Sequence, residues 1–389
     1  FSLFALGVGG FGGNAVKNNS YWWVMGENKY SAAVRGRWTP ETAATAIASG
    51  ELDGMGVARQ FLADPEWVTK MMNDDEASIR PCICCHNACF TMAHYKGVAN
   101  DQPLGDALHM ARCALNPTTM QSKKYKIEPA SKSLNIAVIG GGVGGMETAL
   151  VASKRGHKVT IYEKGSRLGG VFNEASNFSF KEKDKELLVW YERQIKKDKN
   201  IEVLYNSEIN DLKTLKADKI VVATGAEARK LPIKGFNKSI SAIDYLSGKC
   251  KEIGDKPIIV GGGLTGCEIA YEMCLQGKHP IIIEQNGDLI AQKGVCLANS
   301  SYLRDYFELH KTEIHLNSRL IEITDTGIKY EDELHNPQIV NGDKVIMSVG
   351  YVPHPLLANR DKVYFVGDCF KVGNLRTVIW RAWDVAMKL

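Results

Sequence analysis

Short, wholly apolar runs alternate with glycine-rich turns and helical segments in two separate stretches of the chain. Asn135–Ile139 is an apolar run of strand length, met at once by Gly140-Gly141-Gly142-Val143-Gly144-Gly145. Met146–Lys154 then has helical character, and Lys158–Tyr162 is a second strand closed by Glu163. The same order returns at Pro257–Val260, Gly261-Gly262-Gly263-Leu264-Thr265-Gly266, a helix over Cys267–Leu275, and a strand Pro280–Ile283 closed by Glu284.

Nearer the N-terminus the pattern predicts one β–α–β unit. Tyr30–Val34 reads as a strand ending at Arg35-Gly36-Arg37. Thr39 caps a helix with Pro40 at its first position, and that helix runs through Ala43–Ala48 to a stop at Gly50. Leu52–Val57 is the second strand and leads to Ala58-Arg59. Each strand end presents a backbone turn with an arginine. That arrangement binds a phosphate at the last two strands of a TIM barrel, and it equally suits a β–α–β unit with incidental surface arginines. Residues 1–28 contain Gly7-Val8-Gly9-Gly10-Phe11-Gly12, but no strand ending in an acid follows, and Tyr21-Trp22-Trp23 stands there instead. A glycine-rich loop is expected. The polar stretch from Gln121 to Ser133 reads as a linker.

A length of 389 residues allows two to four domains, and the 44% hydrophobic and 24% charged content is that of a soluble globular chain. The net charge of +4 comes with no concentrated basic run interleaved with aromatics, which argues against a nucleic-acid partner. No apolar stretch reaches the roughly 18 residues of a membrane span. No secretory signal peptide is visible at the N-terminus, so a cytoplasmic location is expected and a homo-oligomer is left open.

The chemistry lies in the two turns and in a cysteine loop. Gly140, Gly142 and Gly145 give a tight turn, close approach to a pyrophosphate and close helix packing, and Glu163 can accept from ribose hydroxyls. Gly261, Gly263, Gly266 and Glu284 repeat the set. Cys82, Cys85 and Cys89 form C-x2-C-x3-C on one tight loop, and Cys113 can return as a fourth thiolate, the donor set of a 4Fe-4S cluster. A structural zinc site competes, although it usually pairs two C-x2-C knuckles, and disulfides would need an oxidising compartment. Cys84 is the spare thiol. Cys267, Cys274, Trp380 and Trp383 read as core residues.

Gly56-Val57-Ala58-Arg59-Gln60-Phe61-Leu62-Ala63-Asp64-Pro65-Glu66-Trp67, followed by Arg80-Pro81-Cys82 and the cysteine loop, resembles a family of flavoenzymes. These are the iron–sulfur relatives of old yellow enzyme: 2,4-dienoyl-CoA reductase, enoate reductase and trimethylamine dehydrogenase. The resemblance implies that FMN phosphate falls on Gly36, Arg37, Ala58 and Arg59, with Ala58 where the family usually has glycine. The insertion before Cys113 is longer than in the best-known members. The two turns, about 120 residues apart, resemble the two-dinucleotide flavoprotein architecture, in which an NAD(P)H domain interrupts an FAD domain. Arg167-Leu168-Gly169-Gly170 matches that architecture, as does the crossing Val221-Val222-Ala223-Thr224-Gly225-Ala226. Val363-Tyr364-Phe365-Val366-Gly367-Asp368 resembles the returning strand whose aspartate contacts the flavin ribitol. The disulfide-reductase branch needs a redox cysteine pair near the first turn, and the sequence offers none.

The implied fold is α/β: a remnant of a TIM barrel over 1–70, an iron–sulfur loop and linker over 71–130, an FAD domain over 131–235 and 351–389, and an NAD(H) domain over 236–350. The implied activity passes electrons from NADH through FAD, the 4Fe-4S cluster and FMN to an activated C=C bond of an enoate, enone or enoyl-CoA. The substrate pocket and proton donor belong to barrel strands not visible in this sequence, so no catalytic residue is named, and the chain is expected to be a piece of a longer protein. Two other readings stand beside this one: an amine dehydrogenase of the trimethylamine type, and a module that reduces a protein partner. Glu284 is expected to repel the 2′-phosphate of NADPH, with Lys278 and His279 as the residues to accommodate it otherwise.

Overall fold

The computed structural model describes residues 21–23, 32–34, 40–50, 54–93, 111–250, 252–292, 294–356 and 362–389. They fall into two compact units, Phe1–Phe61 with Pro65–Glu76, and Leu62–Asp64 with Ala77–Leu389. The glycine run Gly7–Gly12 and the candidate phosphate residues Gly36 and Arg37 lie outside the described residues.

In the first unit, β1 (Tyr21–Trp23) pairs antiparallel with β2 (Ala32–Val34). Helix α1 (Pro40–Ala48) and a turn at Gly50, with φ of +75°, lead to β3 (Gly54–Gly56), which lies parallel to β2. The β–α–β unit is present as expected. The aromatic run Tyr21-Trp22-Trp23, expected within a loop, is a strand instead; aromatic side chains suit a pleated, half-buried surface. Among the described residues these strands form a mixed three-stranded sheet in the order β1-β2-β3. Short helices α2 (Arg59–Ala63) and α3 (Trp67–Met72) follow, and Phe61 meets the buried Trp67 edge-on at 5.6 Å.

The second unit opens with the cysteine loop, which ends in α4 (Cys89–Ala93). The stretch from Gln121 to Ser133 has no helix or strand, yet it is packed rather than free. Tyr125 is buried, meets Trp383 edge-on at 5.8 Å and donates to Asp384 Oδ1 at 3.0 Å. The first Rossmann-like layer then forms. Strands β4 (Asn135–Ile139), β5 (Lys158–Tyr162), β6 (Ile201–Leu204) and β7 (Lys219–Val222) are parallel in the order β7-β4-β5-β6. Between them run α5 (Val143–Lys154), the short α6 (Phe172–Ala175) and α7 (Glu182–Lys197). The chain reverses direction across the sheet between β4 and β7, the switch point at which open α/β sheets bind ligands.

After β7 the chain leaves through β8 (Ala226–Ala228) and builds a second layer. Here β9 (Ile240–Ser241), α8 (Ala242–Leu246), β10 (Ile258–Val260), α9 (Leu264–Leu275), β11 (Ile281–Ile283), α10 (Leu297–Leu309) and β12 (Glu313–His315) come in order. Next is an antiparallel sheet, β13 (Arg319–Ile323), β14 (Gly327–Glu331) and β15 (Pro337–Asn341). Strand β16 (Val345–Met347) completes the parallel sheet β12-β11-β10-β16-β9. The returning β17 (Tyr351–Pro353) pairs with β8, so the two crossings between layers are one antiparallel ribbon. Finally β18 (Val363–Phe365) adds beside β7, and α11 (Leu375–Ala386) packs along α5. Among the described residues no helix is long and apolar enough to cross a membrane.

A second seam joins the layers. The segment between α6 and α7 sends Phe178, 2% exposed, into the core of the second layer with Ala242, Ile269 and Met273. Around it Asn177 Nδ2 donates to Leu246 O at 2.9 Å, and Lys181 Nζ bonds Glu268 Oε2 at 2.7 Å. Asp184 faces this pair. Burial pushes its carboxyl up to about 6; Lys181 opposes the rise, and Glu268 and Cys84 add to it. A carboxyl raised in the folded state favours folding when protonated, so its contribution is fully present below about pH 4 and is lost as pH rises through about 6. Asp184→Asn should therefore stabilise the protein above pH 6 by on the order of 1–3 kcal/mol and do little below pH 4. Urea midpoints at pH 7.5 and pH 4 measure the difference; an equal effect at both would show that Asp184 does not titrate there.

Candidate nucleotide sites and cysteine loop

The two glycine turns repeat the same backbone arrangement at a constant offset of 121 residues, from Gly140 to Gly261 and from Glu163 to Glu284. Gly140 and Gly261 have φ of +103° and +106°, and their N–H groups bond Tyr162 O and Ile283 O, both at 2.8 Å. Gly142 and Gly263 are the N-caps of α5 and α9. Gly145 and Gly266 lie so close beneath the turn that an added Cβ would overlap the carbonyl oxygens of Gly140 and Gly261. Only glycine lets helix and turn approach this far.

The acid closing each second strand reaches back to its turn. Glu163 Oε2 accepts from Gly141 N at 2.7 Å and Oε1 from Gly165 N at 2.7 Å. Glu284 Oε2 accepts from Gly262 N at 2.6 Å and Oε1 from Asn286 N at 2.8 Å. Both carboxylates are nearly buried and sit at the C-terminal end of their sheet, beside a helix N-terminus whose free N–H groups suit a pyrophosphate. Lys278 and His279 do not share the second site. They precede β11, His279 about 16 Å and Lys278 about 20 Å of extended chain from Glu284 at roughly 3.3 Å per residue, and Lys278 Nζ bonds Gly254 O. Proximity in sequence misled here because a strand separates its two ends.

Near the first turn, Gly170 with φ of +54° lies against Gly142, and Arg167 is turned outward to Glu174 Oε1 at 3.2 Å. Gly225, with φ of +75°, opens the crossing, and its carbonyl accepts from His354 N at 3.0 Å. Gly367, with φ of +69°, and Asp368 follow β18. Burial raises the Asp368 carboxyl above its ordinary value, while a bond from Gly373 N to Oδ1 at 3.1 Å opposes the rise. Helix α11 begins beside them with Asn374 and Thr377 in a reciprocal capping box. An added Cβ at Gly144 would meet Val378 of α11 at 3.2 Å and Gly367 Cα at 3.6 Å, so the N-terminal turns of α5 and α11 converge at Asp368.

In the cysteine loop, Cys84 and His86 take φ of +56° and +55°. Arg112 N bonds Ala88 O at 3.2 Å, which brings Cys113 back against Cys89. Burial pushes the Cys85 thiol up to about 12, with Cys113 and Cys89 adding to the rise. Cys113 is raised by burial and by Cys89. Cys85, Cys89 and Cys113 thus feel one another's charge, and Cys82 heads the same loop. Among the described residues no three such side chains are drawn together tightly enough to hold a metal ion as they stand. The chemistry of the donor set, four soft thiols on one loop and its return, fits a cluster. Asn87 Oδ1, buried inside the loop, has no hydrogen-bond partner among the described residues.

The loop is fastened to the first layer by a buried carboxylate that sequence reading missed. Glu147 of α5 is fully buried. Its Oε1 accepts from Arg80 Nη2 at 3.1 Å and Trp383 Nε1 at 2.6 Å, and its Oε2 from Tyr191 OH at 2.6 Å. Arg80 also bonds Leu115 O and stacks 4.4 Å over Trp190, whose Nε1 donates to Ser78 O at 3.0 Å. Arg80 precedes Cys82 and Leu115 follows Cys113, so one guanidinium ties both ends of the loop to α5. Trp380 Nε1 donates to Cys113 O at 3.0 Å, under the Arg112 guanidinium at 4.1 Å. In the other unit Ala58 is exposed and Arg59 begins α2.

Residues 186–388, just over half of the chain, match the family described as pyridine nucleotide-disulphide oxidoreductase, and residues 138–188 match the NAD(P)-binding Rossmann-like domain. The chain is 34% identical over 358 residues to cinnamate reductase of Clostridium sporogenes, covering 90% of this chain and 52% of that protein. It is 28% identical over 371 residues to the NADH oxidase of Thermoanaerobacter brockii, with 90% and 54% covered. The solved structure of a 2-naphthoyl-CoA reductase in complex with 2-naphthoyl-CoA matches with a TM-score of 0.82 at 26% identity, over 94% of this chain and 55% of that one. The chain spans about half the length of each of these relatives.

Glu147→Leu leaves Arg80 charged, buried and without its carboxylate, and should cost about 3–5 kcal/mol of unfolding free energy. Urea denaturation checks this, and Arg80→Met combined with Glu147→Leu should recover part of the loss. A cost below about 1 kcal/mol for the single change would show that the pair is not what holds the loop.

Proposed function

We propose a function from one premise: the chain belongs to the pyridine nucleotide-disulphide oxidoreductase family, among the enoate-reductase-type flavoenzymes. It is part of an NADH-dependent flavin and iron–sulfur oxidoreductase that reduces an activated C=C bond of a small molecule. The observation that carries the reading is the repeated turn, with its glutamate, on two Rossmann-like layers joined by one ribbon. Gly140, Gly142, Gly145, Glu163, Arg167, Gly170, Gly225, Gly367 and Asp368 would hold FAD, and Gly261, Gly263, Gly266 and Glu284 would hold NADH. Cys82, Cys85, Cys89 and Cys113 would hold the 4Fe-4S cluster; Gly36, Arg37, Ala58 and Arg59 would hold FMN phosphate. When bound, a flavin takes two electrons as a hydride and releases them singly, and a cluster carries them one at a time.

The residues act by binding and orientation. Backbone N–H groups at the starts of α5 and α9 receive pyrophosphates, and Glu163 and Glu284 present their remaining lone pairs to ribose hydroxyls. The Arg80–Glu147 pair keeps the cysteine loop in register with the first layer. A reducing, cytoplasmic setting suits the thiolate ligands. Cinnamate reductase and 2-naphthoyl-CoA reductase, by name, support an unsaturated acid or thioester as the substrate class. An amine dehydrogenase has no need of the complete second turn and Glu284, which favour the reductase.

Anaerobically purified protein should contain about four irons and four sulfides per chain. Cys85→Ser should remove most of the iron and Cys84→Ser little of it, by metal and sulfide analysis. Zinc in place of iron would defeat the cluster assignment.

NADH should exceed NADPH by at least about tenfold in kcat/KM with a dye acceptor, because the Glu284 carboxylate repels a 2′-phosphate by about 1.4 kcal/mol or more. The complete protein that contains this chain should couple NADH oxidation to reduction of an aryl enoate or its thioester. Equal rates with both nicotinamides would show that Glu284 does not face the ribose, and dye reduction without enoate reduction would favour a protein partner.

A further inference from the structure

The two turns differ at one hydrogen bond. At the first, Gly165 offers only its backbone N–H to Glu163 Oε1. At the second, the equivalent Asn286 offers its backbone N–H and also its side-chain Nδ2, 2.6 Å from Glu284 Oε1. The difference is not one of backbone, because neither position has a positive φ. An added Cβ at Gly165 would stand 3.2 Å from Glu163 Oε1, whereas Asn286 carries a side chain in the same place and turns it to use. Asn286 is itself held, its carbonyl accepting from Asn317 N at 3.0 Å.

We propose that Asn286 is a positioning residue of the second nucleotide site, its amide holding the Glu284 carboxylate in the ribose-accepting orientation whenever the site is empty. The proposal rests on the reading that NADH binds at this turn. A resident flavin never leaves, so its ribose can keep Glu163 in place. A nicotinamide dinucleotide leaves at every turnover, and Asn286 Nδ2 gives the Glu284 carboxylate a third donor, beside its two backbone N–H groups, that stays in place each time the site empties. Immobilising such a side chain costs binding free energy that a standing hydrogen bond removes in advance. The same bond keeps the negative charge aimed at the 2′-position and so sharpens the discrimination against NADPH.

The test is steady-state oxidation of NADH and of NADPH, with a dye acceptor, by the flavin-loaded protein. Asn286→Ala should raise KM for NADH about two- to tenfold, with the loss in KM rather than kcat. KM for NADPH should rise less, so the preference narrows. Asn286→Asp should weaken NADH binding further and NADPH binding most of all. In a Glu284→Ala background, Asn286→Ala should add nothing, since its partner is gone. An unchanged KM for NADH in Asn286→Ala, or an equal rise with Glu284 already removed, would overturn the role. Failure of NADH to bleach the flavin of the unaltered protein would overturn the nicotinamide reading and this role with it, a result separable from the variants' own.

Discussion

A carboxylate buried with no water around it is among the costliest groups a fold can carry, and Glu147 is buried completely. It survives because one cation and two neutral donors meet it: Arg80, Trp383 and Tyr191. Those three come from the cysteine loop, the last helix and α7, while Glu147 sits in the helix that starts at the first glycine turn. Folding that helix into place thus obliges the other three segments to be present. The burial that raises the cost also makes the pair directional, and the Arg80 guanidinium carries the constraint on to Leu115, beyond Cys113. The eight residues Cys82–Cys89, with left-handed positions at Cys84 and His86, are thereby tied at both ends to one helix. The pair thus fixes the separation between helix α5 and the cysteine loop.

The two nucleotide turns show how little sequence such a site needs when backbone supplies the donors. In each, one glycine takes a conformation closed to other residues and another lets a helix press against a carbonyl. A glutamate then accepts from the turn's own N–H and stiffens it. The carboxylate thereby closes the turn, each of its oxygens accepting from a backbone N–H. That explains why an acid at the end of the second strand accompanies the glycines in both copies.

Most of this was legible because it rests on local rules. Asn135–Ile139 and Lys158–Tyr162 form strands with the bounds read from the sequence, the first a nearly continuous apolar run and the second alternating buried Val159 and Ile161 with Lys158 and Thr160. The helices after the turns begin three residues earlier than read, at Val143 and Leu264, because glycine inside a first turn carries no helical signal. Glu147 was not legible: a lone glutamate in a helix ordinarily faces solvent, and its partners lie 67, 44 and 236 residues away. Trp380 and Trp383 read as plain core, whereas each also spends its indole N–H on this junction. The spacing of the cysteines was readable, but what brings Cys113 home is the bond from Arg112 N to Ala88 O, which no spacing records.

The seam at Phe178 bears on how the two layers work together. A domain inserted through a two-stranded ribbon has, from the ribbon alone, a hinge. Here the hinge is opposed, because Phe178 belongs by sequence to the first layer and by packing to the core of the second. Turning the second layer away would expose that ring at a cost on the order of 2–3 kcal/mol, and would break the Lys181–Glu268 pair as well. Proteins that shuttle a dithiol between two positions need such a rotation. The anchor across the seam, Phe178 with the Lys181–Glu268 pair beside it, instead holds the second layer in one orientation against the first.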